Sequence, residues 1–350
     1  MGSGADIITH SSIANETGLS GIKAGAGNDE FYISKGSYKN CWGEAGNDYF
    51  EIKGTEYLIA DGGKGNDKFD ILSGNNNQII GGEGKDTFTV VSGQYNSVSG
   101  DKGKDIFNIE RASNCSFDGG DDNDTFNIND KDEYVDIELC EMMGGKGNDT
   151  FNIYGGSSNE IYGEVGNDIY NLNMQTGSVE IYENDGKNTI NVAKGYKGAV
   201  SAYKLIDTEA TYSVKFDKSY KLTSNANVVD DVITTSDSNI TLYLNFLKKE
   251  GFVSGTSCYF ITNVKDEISD KSIDDRYVMV ETDAFASANV GGKNYTLNFD
   301  KLQQDLVAWF NADTKGYTDS NAVFTGGDTN DIQSLMAVYT KDTAECFIKA

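Results

Sequence analysis

Eight aspartates recur at a spacing that could do chemistry: Asp29, Asp48, Asp67, Asp86, Asp105, Asp124, Asp149 and Asp168. The interval is 19 residues five times in succession, then 25, then 19, and Asn188 follows at 20. Each aspartate closes a glycine-rich turn, as in Gly62-Gly63-Lys64-Gly65-Asn66-Asp67 and Gly144-Gly145-Lys146-Gly147-Asn148-Asp149. Glycine allows positive φ and lets carbonyl oxygens converge with no Cβ in the way. Each turn therefore offers carbonyl oxygens and one carboxylate. Stacked turns would crowd like charges, and a cation between them would relieve the repulsion. Oxygen-only ligands in a flexible loop suit Ca2+, which accepts about six to eight of them. A phosphate cradle does not fit, because the loops carry Asp, no Gly-Lys-Ser/Thr follows and no helix is expected behind them. The metal-free reading is that the aspartates cap turn N–H groups.

The elements that must position these turns can be read from the flanking columns. Two residues after each Asp stand Phe31, Phe50, Phe69, Phe88, Phe107, Phe126, Phe151, Tyr170 and, after Asn188, Ile190. Four residues after it stand Ile33, Ile52, Ile71, Val90, Ile109, Ile128, Ile153, Leu172 and Val192. Apolar residues two apart share one face of a strand. Polar residues such as Glu51, Asp70, Asn108, Asn127 and Asn152 lie between them and face out. A second strand precedes each turn, with Cys41, Ala60, Ile79, Val98, Phe117, Met142, Ile161 and Ile181 pointing inward. A short fixed period denotes a repeat architecture in which neighbouring coils bury one another's apolar faces.

The motif resembles the RTX (repeats-in-toxin) calcium-binding nonapeptide, Gly-Gly-x-Gly-x-Asp-x-apolar-x. Full matches fall at 62–70, 81–89 and 144–152. Near matches fall at 24–32, 43–51, 100–108, 119–127 and 163–171, where Ala24, Glu44, Asp101, Asp122 and Glu164 replace glycines. The resemblance implies an all-β fold, a parallel β-roll or β-helix solenoid of about eight 19-residue coils, with Ca2+ between consecutive turns. The metal-site residues it implies are Gly25, Gly27, Asp29, Gly46, Asp48, Gly63, Gly65, Asp67, Gly82, Gly84 and Asp86. In the later coils they are Gly103, Asp105, Gly120, Asp122, Asp124, Gly145, Gly147, Asp149, Gly166 and Asp168. Family coils carry the motif at both turns. Here the opposite turn reads Ser73-Gly74-Asn75-Asn76-Asn77 or Gly155-Gly156-Ser157-Ser158-Asn159, without the Asp. The expectation is one row of about seven ions along one edge, since eight Asp turns leave seven gaps.

Bulk composition agrees with a cation partner. The chain has 350 residues and a formal charge of -26, which disfavours nucleic acid and anionic membrane. No apolar run calls for membrane insertion. Pro is absent, which suits unbroken hydrogen-bond ladders. A single His leaves little for His-based catalysis or metal binding. The five Cys match no zinc spacing. Cys115 and Cys140 share one column in adjacent coils and are expected to be thiols; Cys258 and Cys346 are candidates for a bridge.

The expected organisation is an N-terminal cap over 1–23, the roll over 24–195 and a smaller β-rich domain over 196–300. Strands there are expected around Thr211–Phe216, Ile240–Phe246, Tyr277–Glu281 and Tyr295–Phe299. One degenerate coil or two are expected over 195–215. Short helices are expected at Leu302–Phe310 and Ile332–Val338. An acidic surface bulge is expected at Asp130–Glu138. Residues 301–350 resemble the C-terminal targeting region of RTX proteins exported by type I secretion, which would make the type I machinery a partner. An uncleaved signal of that kind also agrees with the lack of an N-terminal signal peptide. The function expected is therefore a secreted, extracellular or cell-surface structural or adhesive protein, not an enzyme. It would fold on Ca2+ and could self-associate into filaments or layers. The alternative is a secreted enzyme or toxin with its active site in residues 200–330.

Overall fold

The inward columns of the repeat are apolar, so a coil becomes stable only when its neighbours cover it. A computed structural model of the protein describes residues 2–11, 21–37, 40–128, 137–174, 177–222, 239–249, 252–262, 277–281, 283–297 and 347–349. The chain winds into an all-β parallel solenoid of about nine turns, slightly more than the eight expected. Successive strands alternate between two sheets of 14 strands each. One sheet takes Glu30–Ser37, Tyr49–Glu56, Lys68–Asn75, Thr87–Val90 and their successors. The other takes Asn40–Ala45, Ile59–Lys64, Gln78–Glu83, Ser97–Lys102 and theirs.

The register puts like on like. Phe31 lies opposite Phe50, Phe50 opposite Phe69, and Phe69 opposite Phe88. From Phe31 to Tyr170 the inward rings form an unbroken stack, with centroids 4.4–5.2 Å apart and planes within 3–14° of parallel. The facing column Cys41, Ala60, Ile79, Val98, Phe117, Met142, Ile161 and Ile181 is likewise buried, and the two columns meet in one core. Aromatic pairs of this kind add about 0.5–1.5 kcal/mol each beyond area burial.

The solenoid reaches further at both ends than the repeat motif does. Ile7–Ser11 is a strand paired in parallel with Glu30–Ser37, so part of the N-terminal segment belongs to the first sheet. The parallel ladders also run past position 195. Ala199–Lys204 lies on Ser178–Glu183, and Thr211–Phe216 lies on Lys187–Val192. Tyr277–Glu281 and Phe285–Val290 continue them. Pairing then turns antiparallel, with Phe252–Thr262 between Asn239–Lys249 and Tyr277–Glu281, and Lys293–Leu297 on Phe285–Val290.

The 25-residue interval does not disturb the stack. Thr125, Phe126, Asn127 and Ile128 pair with Thr150, Phe151, Asn152 and Ile153 in the regular register. Most of the acidic insert, residues 129–136, lies outside the described residues, as do both expected helices. Among the described residues there is no helix, and none long and apolar enough to cross a membrane. Cys41, Cys115 and Cys140 are buried free thiols. The side chains of Cys258 and Cys346 lie outside those described.

Candidate metal-binding column

The repeat aspartates sit just inside one corner of the solenoid, between the glycine turn and the strand that carries the phenylalanine. All eight are buried to 2% exposure or less. Burial forces each carboxylate to find donors, and half of it does. Oδ1 of Asp48 accepts the backbone N–H of Asp29 at 2.7 Å. The same bond, at the same length, links Asp48 to Asp67, Asp67 to Asp86, Asp86 to Asp105 and Asp105 to Asp124. It continues through Asp149 and Asp168 to Asn188. At the other end, the N–H of Asp6 donates to Oδ1 of Asp29.

The asparagine that precedes several of these aspartates builds a second ladder in the opposite direction. Oδ1 of Asn28 accepts the N–H of Asn47, Asn47 that of Asn66, and Asn66 that of Lys85. Asn123, Asn148 and Asn167 repeat it in the later coils. Each Asn-Asp pair thus bonds one side chain to the next coil and one to the previous coil.

The glycines make the turn geometry. Gly65 has φ +133°, and a Cβ there would lie 1.6 Å from the Gly46 carbonyl oxygen of the coil before. Where the motif lacks a glycine the backbone keeps its left-handed form, with φ of +74° at Glu44, +68° at Asp101, +82° at Asp122 and +66° at Glu164. The first glycine of each turn has a different task. A Cβ on Gly43 would lie 2.1 Å from Asp48 Oδ2 and 2.6 Å from Gly62 O of the next coil. Gly62 has the same relation to Asp67 and Gly81, and Gly144 to Asp149 and Gly163. Two oxygens, one anionic and one carbonyl, therefore crowd against each of these glycines.

The second carboxylate oxygen has no donor. Oδ2 of Asp6, Asp29, Asp48, Asp67, Asp86, Asp105, Asp124, Asp149 and Asp168 is buried without a hydrogen-bond partner. Among the described residues no lysine or arginine forms an ion pair with the column; Lys64 and Lys146 pair on the surface with Glu83 and Asp121. The opposite corner shows what a neutral column does instead. Asn77, Asn96 and Asn159 also accept N–H bonds through Oδ1, from Leu58, Asn77 and Cys140. Their Nδ2 groups donate to the carbonyls of Thr55, Gly74 and Ile137. Each of these amides satisfies both its oxygen and its nitrogen, whereas the carboxylates leave one oxygen per coil unsatisfied.

Burial holds the seven carboxyls from Asp48 to Asp168 above the ordinary aspartate value of 3.8. It pushes Asp48, Asp105 and Asp149 to about 6, Asp67, Asp86 and Asp168 to about 7, and Asp124 to about 8. The backbone N–H on Oδ1 works against the shift, and charged neighbours add to it. At neutral pH the column therefore holds its negative charge only against a standing penalty, which a proton or a cation relieves.

The structure brings the repeat aspartates into one line, and the second and third glycines of the motif, or Glu44, Asp101, Asp122 and Glu164 in their place, form the turn around it. Asp122 is set apart: it is exposed, in the turn itself, and does not join the buried column. No three Asp, Glu, His or Cys side chains converge on one point among the described residues. A site here therefore draws on one or two carboxylates with carbonyls completing the set. Sequence reasoning missed Asp6, the first glycines such as Gly43 and Gly62, and Glu183. Asp6 follows the glycine turn Gly2-Ser3-Gly4-Ala5, but it falls 23 residues before Asp29, off the period. Gly43 and Gly62 were visible as motif letters, but their contact with the carboxylate was not.

No family model matches this chain, and no curated protein or solved structure does.

Proposed function

We propose that this protein is a calcium-binding structural or adhesive solenoid that works outside the cell and completes its fold as it loads Ca2+. The observation that carries the reading is the row of nine buried carboxylate oxygens without donors. The donor set fits the ion. Asp Oδ2 and the glycine carbonyls beside it are hard oxygens repeated at every coil, and Ca2+ takes about six to eight of these at 2.3–2.6 Å. The bound ion would supply the positive charge that the column lacks. The chain's own residues hold the carboxylates in line, keep the spaces clear of Cβ atoms and exclude bulk water.

Extracellular calcium modules typically have dissociation constants of about 0.1–1 mM. Binding to the folded state alone adds RT ln(1 + [L]/Kd) per site. At millimolar Ca2+ several sites worth about 1 kcal/mol each shift the folding equilibrium decisively. In calcium-poor cytosol the same column opposes folding, which suits passage through an export channel as an unfolded chain. Export by the type I route rests on the resemblance of residues 301–350, nearly all outside the described residues. Self-association has a physical basis at the N-terminal end. There Ile7–Ser11 and Ile22–Ala26 are the edge strands of the two sheets, and Ile7 is 74% exposed.

The test is direct. Chelated protein is dialysed against CaCl2, retained calcium is counted by elemental analysis, and far-UV circular dichroism is followed with and without chelator. Several ions per chain and a gain of β signal on loading are expected. No calcium above the dialysis blank, together with an unchanged spectrum, would sink the reading.

A further inference from the structure

At the C-terminal end of the aspartate column the pattern changes by one residue. The first-glycine position runs through Gly43, Gly62, Gly81, Gly100, Gly119, Gly144 and Gly163, and in the next coil it is Glu183. In the earlier coils the oxygen that crowds the first glycine beside Asp Oδ2 is the glycine carbonyl of the following coil. Beside Asp168 that neighbour is a carboxylate. A Cβ on Gly163 would lie 2.3 Å from Glu183 Oε1, 2.4 Å from Tyr170 Oη and 2.6 Å from Asp168 Oδ2, so three side-chain oxygens from two coils meet at one place.

All three side chains are fully buried. The Tyr170 hydroxyl donates to Glu183 Oε1 at 2.5 Å, while Glu183 Oε2 and Asp168 Oδ2 have no partner. The protein has a lysine within the same ladder and does not spend it here. Lys204 is paired with Glu183 in the strand register, yet its Nζ is 2.9 Å from Asp283. Two carboxylates are thus buried together with no lysine or arginine paired to them among the described residues. The adjoining position of the column is Asn188, a neutral residue whose Nδ2 donates to the Asp185 carbonyl.

We propose that Asp168, Glu183 and Tyr170 form a terminal Ca2+ site that closes the column and binds more tightly than the sites within the row. The proposal rests on the reading of the column as cation-binding. It differs in chemistry, because this site brings two carboxylates from neighbouring coils into contact while the inner positions pair one carboxylate with a glycine carbonyl. Tyr170 is the positioning group: its hydroxyl fixes one oxygen of Glu183 and leaves the other free. The terminal site would fill first on titration, at the end where Asn188 removes the charge from the row.

The test is calorimetric titration of the chelated full chain with CaCl2, run on wild type, Glu183→Gln and Tyr170→Phe. Wild type is expected to show one tight class of about one ion ahead of a weaker class. Glu183→Gln should weaken the tight class at least tenfold and leave the weaker class in place. Tyr170→Phe should keep the tight class with a smaller loss of affinity. An unchanged tight class in Glu183→Gln overturns the proposal while leaving the calcium row standing. No binding by wild type in either class overturns both. Should Glu183→Gln fail to fold, anomalous scattering from calcium-grown crystals of the wild type decides. A peak about 2.3–2.6 Å from Asp168 Oδ2 and a Glu183 carboxylate oxygen supports the site, and its absence there overturns it.

Discussion

Replacing Asp86 by Asn separates the cost of the orphan oxygen from the rest of the fold. Asp86 lies mid-column, fully buried, and its Oδ1 accepts the Asp67 N–H at 2.7 Å. Asn keeps that acceptor and changes Oδ2 into a donor. Asn188 shows where such a donor goes, to the carbonyl three residues earlier at 2.9 Å. For position 86 that carbonyl is Glu83 O, which accepts the Gly65 N–H and has a second lone pair. Burial lifts Asp86 from 3.8 to about 7. A shift of this size corresponds to about 4 kcal/mol at full ionisation, and solvent screening at the corner brings the working figure to about 2 kcal/mol. The folded value lies above the unfolded one. The protonated column is therefore the stable one, its contribution is complete below the unfolded value near 3.8, and it is lost as pH rises through about 7. In chelator, Asp86→Asn should thus be more stable than wild type by about 2 kcal/mol at pH 8, by less than about 1 at pH 5, and by almost nothing near pH 4. Urea denaturation at each pH, with chelator throughout, measures this. In millimolar Ca2+ the order should reverse, because two gaps lose a ligand. A variant that is destabilised in chelator by the same amount at every pH would refute the argument, since Oδ2 would then carry no ionisation penalty.

Three further outcomes follow from the packing. Gly62→Ala puts a Cβ 2.2 Å from Asp67 Oδ2 and 2.8 Å from Gly81 O, and should cost about 1–3 kcal/mol in urea midpoint while reducing calcium uptake. Phe107→Ala opens the ring stack between Phe88 and Phe126, and should cost about 3–5 kcal/mol with the ion count unchanged. The thiols of Cys41, Cys115 and Cys140 should stay unreactive towards a thiol reagent in the calcium-loaded protein and react once it is unfolded.

The fold was legible because the same physics repeats along the chain. Aspartate at a fixed interval, followed by Phe and Ile two and four residues later, specifies both the strand and its inward face. The register of Phe107 on Phe88 and Phe126 then follows from stacking like on like. The ends were less legible because the motif fades before the fold does. Ile7–Ser11 follows a glycine turn, Gly2-Ser3-Gly4-Ala5-Asp6, set off the 19-residue period, and Ala199–Lys204 lies beyond the last Asp-bearing turn, yet pairing with a neighbouring coil suffices to make both strands. The site was legible as a column but not in its orientation. Sequence spacing cannot tell that Oδ1 is spent on a neighbour's N–H and that only Oδ2 is left over. Nor does spacing reveal Glu183, which reads as an ordinary strand glutamate until the Gly163 position shows what it replaces. The asparagine corner was visible only as a missing Asp, because its function depends on amide donors reaching carbonyls 22 residues back.

The interval between Asp124 and Asp149 has a practical meaning. It lengthens one coil by six residues relative to its neighbours, and the strands on either side pair as though nothing had been added. The ring stack passes across it with Phe126 and Phe151 at 4.8 Å, and the aspartate ladder passes at 2.7 Å. Length is therefore decoupled from register at that corner. A peptide grafted between Ile128 and Ile137 would be displayed from a rigid rod, its attachment points held by two sheets that do not sense its size. Corresponding corners in other coils would space several such inserts along the axis at multiples of the coil repeat, about 4.8 Å. The molecule is in that sense a ruler with sockets on one side.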